Sequence, residues 1–297
     1  MDSNLKLIDL CFPVPGYDKF ICAYVYNGLR KAVIDIGPRK TLSQIYGALA
    51  RLYIMPEEID YVILTHIHID HAGGTGEALR AMPEAKVVVH PRGIRHLISP
   101  QALWESSQKT LGQLALEYGE IPPVPEERIV AAVDGMKLDM GGGHELSICF
   151  TPGHAVHHLS VYCEKERTLL AGEAAGVCLE GRVRLATPPP FRMAESLTSM
   201  DRLLALRPER LCYGHFGCYD DAMARLNLIR EKTMSWYGIV HKAAGSSGDL
   251  AEILSCLREK DPDLDYLNGL TEATFLREQG FLFNTIQGLL SDKTAQG

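Results

Sequence analysis

No stretch of this 297-residue chain is apolar over the roughly 18 residues needed to cross a bilayer. Its first residues, MDSNLKLIDLCFPVPG, lack the basic segment and long apolar run of a secretory signal. Basic side chains are also in deficit, with 30 Lys and Arg against 37 Asp and Glu and a formal net charge of -7. That charge argues against nucleic acid or a membrane as the main partner. We therefore expect a cytoplasmic protein whose partner is a small molecule.

Several signature patterns are missing as well. The eight cysteines form no CxxC pair, so neither a thiolate zinc site nor a thioredoxin-type redox pair is predicted. Those in apolar runs are expected to be free cysteines that act as small core residues. There is no GxSxG motif to supply a serine nucleophile. Gly73, Gly74 and Gly76 fit neither GxxxxGK[ST] nor GxGxxG, so they are expected to form a turn.

What the chain does contain is a series of short runs rich in β-branched and aromatic residues, bounded by Gly, Asn, Pro or Asp. Such runs predict β-strands, and they are FICAYVYN, KAVIDIG, YVILTH, AKVVVH, HELSICF, HHLSVYCE, RTLLAGE and ERLCYGH. Helical spacing of apolar residues predicts helices between them, in TLSQIYGALARLYI, GTGEALRAM and SLTSMDRLLAL. Hydrophobic residues make up 46% of the chain, which is enough for a sizeable core.

The spacing of apolar residues changes near residue 220, and beyond that point it is typical of helices. We predict one domain over residues 1–225 and a helical C-terminal extension over 226–297 that packs on it. The extension carries an apolar stripe at near-helical spacing, formed by Phe275, Leu276, Leu282, Phe283, Ile286, Leu289 and Leu290. Core packing is the favoured interpretation. A homodimer contact through these helices, or a lid, is the alternative.

One short segment concentrates groups that bind metals. LTHIHIDHAGG carries His66, His68, Asp70 and His71 directly after the strand run YVIL. In an extended segment, alternate side chains face the same way, so His66, His68 and Asp70 can point together, with His71 brought in by the following turn.

Three more candidate ligands also follow apolar strand runs. His154 comes after LSICFTPG, Glu173 after TLLAG, and His215 after LCYG. Loops at strand ends on one edge of a sheet can converge on a common pocket. Imidazoles with carboxylates suit zinc, iron or manganese. Seven candidate ligands exceed what one tetrahedral ion needs, so we expect two divalent ions that share a hydroxide, with zinc expected and iron or manganese as alternatives.

These motifs resemble the metallo-β-lactamase superfamily. THIHIDHAGG is similar to its HxHxDH signature, TPGHAVHHLSVY to its second motif, LLAGEAAG to its third and CYGHFG to its last histidine, over residues 5 to 225. The segments HPRGIRHLISPQALW and TPPPF resemble a little-characterised group within it. The resemblance implies an α+β fold, a four-layer αββα sandwich with the metal site at one edge and, here, a helical C-terminal appendage.

The resemblance also implies a role for each ligand. His66, His68 and His154 would bind one ion, Asp70, His71 and His215 the other, and residue 173 would bridge them. The family usually has aspartate at that position, whereas this chain has Glu173. Asp70 would also position or activate the attacking water. His158 is expected to support the site rather than to bind a metal. His90, His96, His144 and His241 are expected to be structural.

The function that the residues and the resemblance imply is a metal-dependent hydrolase of a small ester, thioester or lactone-like substrate. An iron-dependent oxidoreductase of the sulfur-dioxygenase kind is the first alternative, because imidazole-rich sites also hold iron. A phosphodiesterase is another alternative, although no concentrated basic strip for RNA is present. A non-catalytic binding module ranks last because all seven positions hold ligand-capable residues.

Overall fold

The first β-sheet collects the strand-forming runs of the N-terminal half. The structure, a computed structural model, describes residues 4–246 and 248–292. Neighbouring strands follow one another in chain order across this sheet. They are β1 (Leu5–Asp9), β2 (Cys22–Asn27), β3 (Lys31–Ile34), β4 (Ile59–Ile63), β5 (Lys86–Val89) and β6 (Ile129–Ala131).

The second sheet is formed by later segments in the order β14-β13-β10-β9-β8-β7. Its strands are β7 (Lys137–Gly141), β8 (His144–Phe150), β9 (Leu159–Cys163), β10 (Thr168–Gly172), β13 (Arg210–Tyr213) and β14 (Cys218–Tyr219). A separate hairpin of β11 (Val177–Leu179) and β12 (Arg182–Arg184) lies between β10 and β13 in the chain.

Helices cover the outer faces of both sheets. In the first half they are α1 (Leu42–Arg51), α2 (Ile69–Ala72), α3 (Thr75–Ala78), α4 (Ile94–Ile98), α5 (Gln101–Leu111) and α6 (Gln113–Tyr118). In the second half they are α7 (Met193–Ala205), α8 (Ala222–Ala244), α9 (Leu250–Lys260) and α10 (Glu272–Ser291). Among the described residues, no helix is both long and apolar enough to span a membrane.

The two-residue period of the strands explains the layers. In β2, Tyr24 and Tyr26 belong to a core between the sheets, whereas Val25 belongs to the core under the helices of the first half. In β9, Val161 packs between the sheets and Tyr162 packs toward the C-terminal helices. Each sheet is therefore buried on both faces, and the predicted four-layer αββα sandwich of α+β class is confirmed.

Parallel pairing places several strand ends at one edge of the sandwich. Strands β3, β4, β5 and β6 are parallel to one another, and β10 is parallel to β13. The sheets meet at this edge, where Leu159 N donates to Thr65 O over 2.7 Å and Cys22 N donates to Gly214 O over 3.2 Å. The loops that follow β4, β10 and β13 therefore lie side by side.

The C-terminal helices pack on the second sheet, as the favoured interpretation of the apolar stripe predicted. Leu282, Ile286 and Leu289 of α10 are buried in one core with Leu169 of β10 and Leu211 of β13. Leu276 is the exception because it is 59% exposed. The predicted domain division between residues 225 and 226 falls inside α8 and stays a prediction.

Some elements differ from those expected. Strands β1, β6, β7, β11, β12 and β14 are not among the predicted runs, and the helix predicted in GTGEALRAM is reduced to the single turn of α3. This turn lies tightly against the 122–123 backbone, because a side chain at Gly76 would meet the Pro123 carbonyl oxygen at 2.4 Å.

The expectation that the cysteines in apolar runs are free is wrong for Cys212 of the run ERLCYGH. Cys212 and Cys218 form a disulfide, because β13 and β14 are paired antiparallel with these residues directly opposite and their Cα atoms 4.1 Å apart. A search for CxxC could not reveal this pair because five residues separate the two cysteines. Cys22, Cys163 and Cys178 are buried and free, as expected.

Two glycines of α10 offer a matched test of its docking. A Cβ at Gly288 would lie 1.5 Å from the Thr187 carbonyl oxygen, whereas one at Gly280 has no atom within 4 Å. We expect Gly288→Ala to lower the free energy of unfolding by about 3 kcal/mol. Gly280→Ala should raise it by up to about 1 kcal/mol because alanine favours helix. Denaturant unfolding measures both, and equal effects would contradict this packing.

Candidate metal centre

The first four candidate ligands follow β4 in two different conformations. His66 and His68 lie in the extended segment after the strand, and the alternation expected there brings them together. Asp70 and His71 lie instead on the helical turn α2. The turn directs Asp70 away from the first two histidines, so it joins a second group of ligand atoms.

The other three candidates come from the second sheet. His154 lies in the loop between β8 and β9, Glu173 directly follows β10, and His215 follows β13. Each of these side chains is at least nine-tenths buried. The structure thus brings all seven predicted positions, four from one sheet and three from the other, to the same edge of the sandwich.

The first group consists of three imidazoles and a carboxylate. His66 Nε2 is 2.9 Å from His68 Nδ1, and His154 Nε2 is 3.1 Å from the same atom. Glu173 Oε2 is 3.2 Å from His66 Nε2 and 2.9 Å from His154 Nε2. Four potential donor atoms therefore face a common point.

The second group is formed by Asp70, His71 and His215. The two imidazole Nε2 atoms are 3.1 Å apart. Asp70 Oδ2 lies 3.3 Å from His215 Nε2 and 3.7 Å from His71 Nε2. The Asp70 side chain is 20% exposed, whereas the two histidines are almost completely buried. Asp70 is therefore the group of this set most open to solvent.

Glu173 lies between the two groups. Its Oε2 atom, already in contact with His66 and His154, is also 3.5 Å from His71 Nε2, and its Oε1 atom is 3.6 Å from His215 Nε2. The extra methylene relative to aspartate thus does not remove this carboxylate from either group.

Two of the histidines are oriented by backbone carbonyls. His154 Nδ1 is 2.9 Å from Ala186 O, and His215 Nδ1 is 2.9 Å from Phe20 O. A carbonyl oxygen can only accept, so both Nδ1 atoms carry the hydrogen. The Nε2 lone pair of each ring is then free to point into the cluster.

Side chains orient two more histidines, and sequence analysis missed both of these partners. Asp35 Oδ2 accepts from His71 Nδ1 over 2.9 Å. The Thr65 hydroxyl donates to the same carboxylate oxygen over 2.8 Å, so its oxygen can accept from His66 Nδ1 at 3.0 Å. Asp35 follows the strand run KAVI, and its position after a strand is the one signal that could have revealed it.

His158 lies behind Glu173. Its Nε2 atom accepts from the Glu173 backbone N–H over 3.1 Å, and its Nδ1 atom is 2.8 Å from the Thr151 hydroxyl. Both ring nitrogens are therefore engaged outside the ligand cluster, and the His158 side chain positions Glu173 through the Glu173 backbone.

Burial and neighbouring charges shift the pKa values of these groups in opposite directions. Burial, aided by the neighbouring histidines, lowers the pKa of His68 to about 4 and that of His66 well below its usual range. Burial also tends to lower the pKa of His71. The Asp70 and Asp35 carboxylates outweigh this effect and raise the pKa of His71 to about 10. Burial alone would raise the pKa of Asp70, yet His71 and His215 lower it to about 2.

The donor set fits divalent cations. A tetrahedral ion with bonds of about 2.0–2.1 Å places its donors roughly 3.3 Å from one another. Four of the six distances between the inward-facing atoms of the first group are 2.9–3.2 Å, close to that spacing, and all six are within 4.8 Å. Imidazole lone pairs at such distances repel one another unless a proton or a cation lies between them. His66, His68, His154 and Glu173 would hold one ion, and Asp70, His71 and His215 the other.

Comparison with known proteins places this centre in a family. A family model described as the metallo-beta-lactamase superfamily matches residues 21–215. The chain belongs to the metallo-β-lactamase superfamily. The matched range contains all seven candidate ligands, and the resemblance noted in the sequence is confirmed.

Individual relatives within the superfamily match parts of the chain. The metallo-β-lactamase fold-containing protein ST1585 of Sulfurisphaera tokodaii is 34% identical over 164 residues, which cover 54% of this chain and 62% of that protein. A hydroxyacylglutathione hydrolase of Maricaulis maris is 30% identical over 164 residues, covering 55% of this chain and 50% of its own length. The chain thus spans less than two thirds of these two relatives.

Solved structures agree with the fold. The crystal structure of ST1585 from Sulfolobus tokodaii superposes with a TM-score of 0.66 and 26% identity, covering 80% of this chain and 87% of that one. The superfamily protein TTHA1429 of Thermus thermophilus has a TM-score of 0.69 and 24% identity, covering 97% of this chain and 92% of its own. The second match shows that the shared fold includes the C-terminal helices.

The raised pKa of His71 predicts that metal binding releases a proton. At pH 7 the ion-free side chain is protonated because its pKa is about 10, and a cation at the second group must displace that proton. We expect zinc affinity to rise with pH and about one proton to be released per chain. Titration calorimetry in two buffers of different ionisation enthalpy measures this, and an enthalpy independent of the buffer would contradict it.

The contact between Asp35 and His71 predicts a role for Asp35 in metal affinity. Asp35→Asn removes the charge that orients the imidazole, so zinc affinity should fall by about 10- to 100-fold. Competition with a chromophoric chelator gives the affinity. Asp139→Asn is the matched control because Asp139 is an exposed strand residue whose side chain accepts only from the Gly141 N–H among the contacts described. Equal affinities in the two variants would remove Asp35 from the centre.

Proposed function

We propose that this superfamily member is a hydrolase that uses two divalent ions, zinc being the expected metal, to cleave a small ester, thioester or lactone-like substrate. The observation that carries the proposal is the position of Glu173, whose carboxylate contacts imidazoles of both ligand groups. Two sites joined by one carboxylate are the arrangement expected of a dinuclear hydrolytic centre.

The composition of the cluster supports hydrolysis without a protein nucleophile. The seven side chains are imidazoles and carboxylates, with no serine or cysteine among them. Divalent ions supply, when bound, a water of lowered pKa and Lewis acidity toward a carbonyl oxygen. The contribution of the chain is to hold the donors in place, since Phe20 and Ala186 fix two rings by their carbonyls and Asp35 fixes a third.

Asp70 is the residue placed to act on the attacking water. Its carboxylate is the most exposed of the second group, and His71 and His215 overcome the effect of burial to hold its pKa near 2. It is therefore ionised at neutral pH, and Oδ2 can accept a hydrogen bond from the attacking water and orient it.

A cluster of aromatic side chains lies beside the site, and its one partly exposed member, Tyr17, can contact an apolar part of a substrate. Phe12, Tyr17, Phe20 and Tyr118 contact one another through their rings next to this edge. Phe20 also contacts the His215 ring, with 4.6 Å between centroids. Similarity to a hydroxyacylglutathione hydrolase over about half of each chain agrees with an acyl substrate.

The homodimer through the C-terminal helices stays a prediction.

An iron-dependent oxidoreductase is the second candidate because the same imidazoles and carboxylates are suitable iron ligands. Metal analysis of the purified protein, combined with assays of thioester, lactone and phosphodiester hydrolysis and of oxygen uptake, separates the candidates. We expect about two zinc ions per chain and hydrolysis of an ester or thioester that is lost on chelation and restored by zinc. Stoichiometric iron with oxygen uptake would overturn the hydrolase proposal in favour of the oxidoreductase.

Replacement of Asp70 tests its role. Asp70→Asn keeps the size of the side chain but removes its charge and basicity, so turnover should fall by about 10²- to 10⁴-fold. Metal content measured on the same sample shows whether a lost ion accounts for the fall. Undiminished turnover with unchanged metal content would exclude Asp70 from the reaction.

A further inference from the structure

Two arginines and one glutamate are buried together where α10 meets the hairpin of β11 and β12. Arg184, Arg277 and Glu278 are 3%, 7% and 0% exposed. Glu278 Oε1 lies 3.0 Å from Arg277 Nε and 2.9 Å from its Nη2 atom. Glu278 Oε2 pairs with Arg184 Nη1 and accepts from the Tyr266 hydroxyl over 2.7 Å. Both carboxylate oxygens are therefore fully used.

The charges of this group do not balance. In the described part of the chain, the ion pairs of Arg184 and Arg277 all end on Glu278. Two guanidiniums remain positive at any physiological pH, so one carboxylate leaves an excess of one positive charge in a buried place. A buried charge without a counter-ion is strongly destabilising. One monoanion would neutralise it.

The arginines also retain unused hydrogen-bond donors. Among the described residues, Arg184 Nε and Nη2 are buried and have no hydrogen-bond acceptor, and Arg277 Nη2 makes an ion pair with Glu278 but no hydrogen bond. Each buried donor left without a partner costs about 1–3 kcal/mol. Such N–H groups in the planar fork of a guanidinium match the two oxygens of a carboxylate.

The group is one aromatic ring away from the metal centre. The Arg277 guanidinium carbon lies 4.4 Å from the centroid of the Phe20 ring, and that ring is 4.6 Å from the ring of His215. The Phe20 carbonyl also accepts the hydrogen bond that orients His215. An anion at Arg277 would thus lie close to the reacting edge but outside the ligand cluster.

The pKa values of two tyrosines are shifted both by a charge of the metal centre and by a charge of the arginine group. Burial raises the pKa of Tyr17 and Tyr118, and in each case the Asp70 charge adds to the rise while the Arg277 charge opposes it. Tyr17 is only half-buried, and its ring centroid lies 5.7 Å from the Arg277 guanidinium carbon. The Tyr17 ring therefore lies beside Arg277.

We propose that Arg277, supported by Arg184, binds a carboxylate of the substrate, which makes the substrate a small ester or thioester with a carboxylate remote from the bond that is cleaved. The proposal specifies the substrate of the hydrolase and therefore rests on that function. The apolar part of such a molecule would lie against Tyr17 and Phe20. Its carboxylate would supply the missing counter-charge.

A purely structural role for Arg277 gives different expectations. Its Nη1 atom donates to the Gly16 carbonyl, so the side chain also contacts the loop between β1 and β2. If that contact were its whole purpose, Arg277→Met would lower stability without changing any preference for charged substrates. Because Arg277→Met leaves Arg184 and Glu278 as a one-to-one ion pair, the variant removes the charge excess and is expected to fold.

A matched pair of esters tests the preference. The zinc-loaded protein is assayed with the 4-nitrophenyl monoester of glutaric acid and with 4-nitrophenyl pentanoate, which has a similar length but no carboxylate. The kcat/KM ratio of the charged to the neutral ester should fall about 10- to 100-fold in Arg277→Met. Arg277→Lys, which keeps the charge but loses the fork, should give an intermediate ratio. The exposed Arg182→Met on the same hairpin is the control, with an unchanged ratio.

Binding of glutarate, measured by calorimetry on the same zinc-loaded proteins, separates this proposal from the hydrolase itself. Weaker binding by Arg277→Met but not by Arg182→Met supports the anion subsite, even if neither ester is hydrolysed and the hydrolase proposal fails. Equal binding by all variants, as expected if glutarate contacts only the metals, overturns the subsite. An unchanged ester ratio in an active Arg277→Met protein overturns it as well.

Discussion

The metal centre depends on imidazole nitrogens that are forced to face one another in a buried place. His66, His68 and His154 direct ring nitrogens at a common point, and His71 and His215 do so at an adjacent one. Without a cation, such groups repel or compete for protons. The fold holds four of these rings in place because the outer nitrogens of His66, His71, His154 and His215 are fixed by acceptors that belong to the framework of the sandwich.

Much of the sandwich could be predicted because its information is local. Runs rich in β-branched and aromatic residues, such as YVILTH and HELSICF, indicate strands, and the candidate ligands lie at or just after the ends of such runs. The ends of β4, β10 and β13 lie at one edge, so side chains far apart in the chain become neighbours. The apolar face of α10 could likewise be read from its spacing, and Leu282 and Ile286 are buried as that pattern predicts.

What could not be predicted depends on partners that are distant in the chain. Asp35 contacts His71 across 36 positions, and the Phe20 carbonyl contacts His215 across 195. No short motif records such pairs.

The expectation that Asp70 shares an extended face with His66 failed for a local reason, because the chain turns into helix at position 69. The Cys212 disulfide was missed because its partner becomes a neighbour only when β14 folds back on β13.

The ligands come from both sheets, and this has a thermodynamic consequence. His66, His68 and His71 follow a strand of the first sheet, whereas His154 and His215 follow strands of the second. Any cation held in either group is therefore shared by the two halves of the sandwich, and its binding energy contributes to their association. Cofactor loading and resistance to unfolding are thus coupled in this protein, so that depletion of the ion and opening of this edge are two aspects of one equilibrium.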